Sequence, residues 1–330
     1  MNPNEVIKGQ RATPAVQSPS RSIEMSPSSL YCSFVLLCLV SLVLWWHTLV
    51  ATFGLALRAN EYAHTLVIIP LSIALIFTEW RSRNAKPEPN FRTGLALLAL
   101  AVLIGFIGGP WRGLSSLPAD VQLSLEMLAV VMWWIGSFVC CFGTRISRMS
   151  VFPLCFLLWL VPLPEFALDH IVRFLQLGSA YAARLLFEVA RVPVIQDGVL
   201  LFLPGLTLQV AQECSSIRSS MMLLVTSMVL AHLLLRSTWG KGLVILATIP
   251  LCLAKNGFRI FTLAMLGLYV DPSFLHGWLH HQGGIVFFLL FLAVLFALLR
   301  LVGWAERKAI ARAASRSLVA PIAVAKADTQ

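Results

Sequence analysis

Apolar residues in this chain come in blocks of about twenty, separated by short polar segments that carry most of the cations. A helix needs roughly 20 residues to cross a hydrocarbon core about 30 Å thick, so each block predicts a membrane span. The blocks fall at about Tyr31–Ala51, Tyr62–Trp80, Gly94–Gly109, Val121–Phe142, Val151–Leu168, Ser215–Leu235, Gly242–Leu266 and Gly284–Trp304. Two stretches depart from the pattern. His170–Ala190 is only moderately apolar and carries Arg173, Arg184 and Glu188, which predicts an amphipathic helix lying in the interface. Val192–Val210 sets Gly198 and Pro204-Gly205 as turn signals between β-prone runs, which predicts a small β-hairpin outside the hydrocarbon. The expected fold is an all-α polytopic membrane protein of about eight transmembrane helices. A short extracytoplasmic amphipathic helix and a small β-hairpin precede the sixth span. Residues 1–30, polar and rich in Ser and Pro, predict a disordered cytoplasmic tail. Residues 31–304 form the membrane domain and 305–330 a basic cytoplasmic tail. The first block exceeds the length of a signal-peptide core and predicts an uncleaved span.

Composition agrees with that pattern. Of 330 residues, 58% are hydrophobic and 12% charged, against about a quarter charged in ordinary soluble domains. This excludes a cytosolic enzyme and a disulfide-rich secreted module. The net charge of +10 raises the question of an acidic or nucleic-acid partner, and the placement of the cations answers it. With an even number of spans both termini share one side. Putting them in the cytoplasm leaves 17 of the 25 Lys and Arg in inner segments, as the positive-inside rule requires. The surplus charge is a topology signal, and no nucleic-acid partner is expected. Seven cysteines contain no CxxC pair, and no cofactor or metal is expected.

Ionisable residues inside a span are costly and point to function. Three clusters qualify. The first, residues 212–220, holds Glu213, Cys214 and Arg218 with four serines where the sixth span opens; Cys214 and Arg218 are four apart and share a helix face. The second is Lys255-Asn256-Gly257-Phe258-Arg259 within the seventh span, where Asn256 and Arg259 share a face. The third is the loop holding His276, His280 and His281 ahead of the eighth span. In the expected topology all three reach the outer side of the membrane. A thiol becomes nucleophilic as the thiolate, favoured by a neighbouring base or cation. A guanidinium can hold a developing oxyanion where water is scarce. Cys, His and Arg together suffice for acyl transfer.

Those residues also carry a resemblance. Cys214-Ser215-Ser216 opening a span, Asn256-Gly257-Phe258-Arg259 within the next, and His280 four residues ahead of Gly284 resemble the exosortase/archaeosortase family of polytopic membrane cysteine transpeptidases. The likeness covers roughly residues 30–304. It departs from the family pattern at Ser216, where a Gly usually follows Cys-Ser, and His281 stands beside His280.

The resemblance implies a cysteine protease/transpeptidase of a bacterial cytoplasmic (inner) membrane, with its active site on the periplasmic side. Its substrates would be exported proteins bearing a PEP-CTERM-like C-terminal sorting signal with a hydrophobic segment, and its surroundings membrane lipid. It implies Cys214 as nucleophile, His280 as acid/base and Arg259 as the oxyanion or substrate-positioning group, with Asn256, Glu213, Arg218 and His281 in support. Two other readings of the same residues stand beside it. One is a transporter or flippase for an anionic substrate, with Arg259 and Lys255 as intramembrane anion-binding groups. The other is a thiol oxidoreductase, which needs a second redox cysteine near Cys214.

Overall fold

The computed structural model describes residues 27–83, 87–109, 117–210, 217–275 and 284–327. The helices are α1 (Pro27–Leu44), α2 (Trp46–Arg58), α3 (Thr65–Arg83), α4 (Phe91–Gly108), α5 (Ala119–Met149), α6 (Val151–Phe156), α7 (Glu165–Val189), α8 (Ile217–Leu234), α9 (Thr238–Tyr269) and α10 (Gly284–Ala327). Strands β1 (Ile195–Asp197), β2 (Leu200–Leu203) and β3 (Leu206–Gln209) lie between α7 and α8. The fold is that of an all-α integral membrane protein with one small sheet. Among the described residues, five helices are long and apolar enough to cross a membrane: α4, α5, α8, α9 and the first part of α10. The number rises to seven if each of two sharply bent helix pairs is one span, and the apolar part of α3, Thr65–Trp80, is shorter.

Both bent pairs depart from the sequence expectation. The first predicted span is not straight: α1 and α2 meet at 80°. The break falls at Trp45, whose ring packs 5.7 Å from Trp133 and lies over Gly105 of α4. The fifth span ends early. α6 continues as a 3₁₀ turn (Leu157–Leu160), and α7 then leaves at 97°. Pro162 and Pro164 explain this, because a proline lacks the N–H that would continue the helix and its ring disfavours the α region for the residue before it. The corner is stitched down. Ser124 Oγ donates to the Pro162 carbonyl at 2.8 Å, the Glu165 N–H donates to Asp120 Oδ2 at 2.7 Å, and the Tyr62 hydroxyl donates to the Leu163 carbonyl at 3.0 Å.

Small residues let neighbouring helices approach, as membrane interfaces favour. α4 packs on α5 with Gly94 against Cys140 and Gly136 against Leu97 and Leu98. α5 turns at Gly143, whose positive φ of 82° and closeness to the Glu88 carbonyl leave no place for a side chain.

α7 begins near the residues expected to form an interfacial helix and remains amphipathic; one apolar face is buried in protein, while Phe166, Phe174, Tyr181 and Val189 stay exposed. Val172, Leu175, Ala180, Ala183 and Phe187 line that face. Against α9 they are joined by close contacts of Gly178 with Leu253 and of Gly257 with Ala182, and by Phe187 5.1 Å from Phe261.

The expected hairpin has a third strand. β1, β2 and β3 form an antiparallel meander. Gly198 supplies the positive φ of the first turn, and Pro204-Gly205, with Gly205 at φ 81°, the residue types of a type II second turn. Alternation along β2 turns Leu201 and Leu203 into a core shared with α7 and Ala264 of α9.

The α8–α9–α10 unit closes around Leu223, Ala231, Val244, Cys252, Leu295 and Leu299. α8 and α10 both begin beside the middle of α9. The first turn of α8 bonds to α9 at Lys255, and Phe287 in the first turn of α10 lies 6.0 Å from Phe258. α9 continues for 14 residues past Lys255 to Tyr269, about 21 Å at 1.5 Å per residue. That projecting half is clad by α7 and the sheet.

Candidate active site

Of the residues singled out in the sequence, Cys214, Glu213, His280 and His281 lie outside the described residues. Arg218, Asn256 and Arg259 are described. Arg218 occupies the second position of α8 and is exposed. Asn256 is 1% exposed, and neither its amide oxygen nor its amide nitrogen meets a partner among the described residues. Arg259 is half-buried on α9, one turn beyond Lys255 toward Tyr269.

What the structure brings together is the set of helix beginnings around this stretch of α9. Lys255 is 2% exposed, and its ammonium donates to Ser219 Oγ and, at 3.3 Å, to Ser220 Oγ in the first turn of α8. One turn earlier on α9, Cys252 Sγ lies 3.6 Å from the Ser220 carbonyl it donates to. Just after β3, the Val210 carbonyl accepts a bond from Gln176 of α7 at 3.2 Å. Ile217 and Met221 of α8 pack with Val172 and Leu175 of α7. Cys214 stands three residues ahead of α8, and His280 four residues ahead of α10. The two helices those residues precede therefore start beside one polar stretch of α9, spanning Lys255 to Arg259.

Among the described residues the charged groups at this locus are cationic. Lys255 and Arg259 lie on α9, and the first turn of α8 brings the positive end of its helix dipole to the same place. Among the described residues no carboxylate pairs with Lys255. Such a setting favours a thiolate over a thiol and a tetrahedral oxyanion over a neutral carbonyl. Ahead of α10, Asp271 accepts the Ser273 N–H at 2.7 Å, and this bond holds its carboxyl below the ordinary value.

Sequence reasoning picked out the Lys255–Arg259 cluster but not its partners. A buried lysine needs acceptors, and the only signal for them was the unusual density of hydroxyls at the start of α8. Gln176, on a helix expected to lie in the interface, gave no signal at all.

The sequence profile described as transmembrane exosortase matches residues 45–297, which include every described element from α2 to most of the apolar part of α10. No curated protein and no solved structure matches the chain.

Proposed function

This chain belongs to the transmembrane exosortase family, and from that premise we propose that it removes the C-terminal sorting signal of exported proteins through a thioacyl intermediate on Cys214. Family membership carries with it the processing of sorting signals by a membrane cysteine peptidase or transpeptidase. The finer reading assigns roles. The Cys214 thiolate attacks the scissile carbonyl and forms the S–C bond. Arg259 holds the resulting oxyanion. Collapse of the tetrahedral intermediate breaks the C–N bond, and His280 delivers the proton to the departing amine. His280 then takes a proton from the acceptor, an amine or water, as that nucleophile releases the acyl group. Asn256, Glu213, Arg218 and His281 act in support of these three groups. The reaction takes place on the periplasmic face of the bacterial cytoplasmic membrane, with both termini in the cytoplasm.

The observation that carries the reading is the common level at which α8 and α10 begin against Lys255–Arg259. Three groups remote in sequence need such a meeting point to act on one carbonyl. The test is mass spectrometry of cell-surface protein C-termini in cells making the wild-type chain or its Cys214→Ala variant. The variant is expected to accumulate in the membrane at normal level while its substrates keep their hydrophobic tails. Normal tail removal by an inserted Cys214→Ala chain overturns the proposal.

A further inference from the structure

Lys255 is buried inside the protein, where an ammonium is expensive unless its hydrogen bonds are met. Replacing such a buried charge by an apolar side chain of similar shape is often neutral or stabilising. Packing alone therefore gives no reason for a lysine here. Its contacts do. Two of its three N–H donors meet Ser219 and Ser220, adjacent residues in the first turn of α8, and Cys252 one turn back holds the Ser220 carbonyl. These bonds join two separate helices at one level, within six residues of Cys214 in sequence.

We propose that Lys255 is a positioning residue, its ammonium pinning the Ser219–Ser220 turn of α8 to the middle of α9 and so setting the depth at which the chain ahead of α8 is presented. The inference rests on the cysteine-peptidase reading above but assigns Lys255 a task that reading does not contain. Among the described residues, the titratable groups acting on this ammonium are Cys252 and Arg259 of α9, each one turn away, and α8 offers it the two uncharged serine hydroxyls. The pin acts on geometry. It should therefore alter turnover and leave substrate affinity alone.

The test uses the full chain in native membranes with a sorting-signal substrate. Lys255→Met keeps the length and apolar stem of the side chain and removes its donors. It is expected to insert at normal level and to keep an unchanged or higher melting temperature. Its kcat should fall by about ten- to a hundredfold, the range for loss of a charged hydrogen bond and a displacement near 1 Å, with KM unmoved. Ser219→Ala/Ser220→Ala, which keeps the lysine and removes its acceptors, should show the same kcat defect. Adding Lys255→Met to that pair should cost little more, because all three residues serve one contact. If Lys255→Met processes at the wild-type rate while Cys214→Ala is dead, the pin is refuted and the peptidase reading stands. If Cys214→Ala itself processes normally, the peptidase reading has failed first. Should Lys255→Met not accumulate, the serine pair decides: wild-type turnover in the inserted pair overturns the proposal, and a kcat defect without a KM change supports it.

Discussion

Gly257 offers a sharp test of how closely the site depends on helix packing. It sits on α9 between Asn256 and Phe258 and receives α7 at short range. A Cβ added there would lie 2.6 Å from Ala182 Cβ and 2.8 Å from the Ala183 backbone nitrogen. Ordinary contact begins at 3.4 Å, so Gly257→Ala must part the two helices locally by about 0.8 Å. Overpacking of this kind costs about 1–3 kcal/mol, and removing a helical glycine returns about 1 kcal/mol. The net loss of stability is then roughly 0–2 kcal/mol, small enough for the variant to insert. Turnover responds more steeply, because a displacement near 1 Å at a reacting group costs about a hundredfold. Gly257→Ala is therefore expected to retain most of its membrane abundance and thermal stability while removal of the sorting signal slows by about one to two orders of magnitude. The assay is the rate of tail removal normalised to enzyme in the membrane. Adding Ala182→Gly deletes the nearer clashing atom and leaves the backbone contact, so it should restore part of the rate. A Gly257→Ala variant that works at the wild-type rate refutes the reasoning, as does a double variant that recovers nothing.

Two further expectations concern the ends of α9 and the turn beyond it. Glu306 of α10 accepts the N–H groups of Arg236 and Ser237 at 3.2 and 3.3 Å, adding a carboxylate to the Ser237 side-chain cap at the N-terminus of α9. Glu306→Ala should cost about 1–2 kcal/mol and lower the apparent melting temperature in detergent by roughly 2–6 °C; an unchanged melting temperature would remove Glu306 from the cap. At the other end, Asp271 has its carboxyl pKa lowered by the Ser273 N–H. A depressed carboxylate adds stability in full above the unfolded value of about 3.9, and that contribution fades as pH falls through the lower folded value. A carbon-13 titration should thus place the Asp271 midpoint below that of an unfolded peptide, and Asp271→Asn should speed exchange of the Ser273 amide at neutral pH.

Much of the membrane domain was legible because long apolar runs with polar ends admit few alternatives. Gly94–Gly109 was expected where α4 runs from Phe91 to Gly108, and Ser215–Leu235 where α8 runs from Ile217 to Leu234. The bend at Trp45 was hidden because no proline or glycine stands there and its ring contacts come from α4 and α5. The bend before α7 was written in Pro162 and Pro164 but outweighed by the apolar run around them. Periodicity revealed that α7 is amphipathic, yet it cannot say that α9 covers one apolar face of it while Phe166, Phe174 and Tyr181 stay exposed. The third strand was missed because four residues after a Pro-Gly turn look like the tail of a hairpin. In the site, Lys255, Asn256 and Arg259 stood out as polar residues in an apolar run. The lysine's bond to Ser219 and Ser220 joins positions 36 and 35 residues apart, a pairing that spacing along one helix cannot disclose.

α9 also works as a ruler. It is a continuous helix whose starting cap is clamped by Glu306, and Lys255 lies 18 residues past Ser237. At 1.5 Å per residue that is about 27 Å, close to the roughly 30 Å of bilayer hydrocarbon. A hydrocarbon edge at the clamped turn would put the lysine and the asparagine beside it near the opposite rim of the oily layer. In that placement, thickening the bilayer would submerge the rim and thinning it would lift the polar cluster clear, so lipid chain length would be a dial on the chemistry without touching a single side chain.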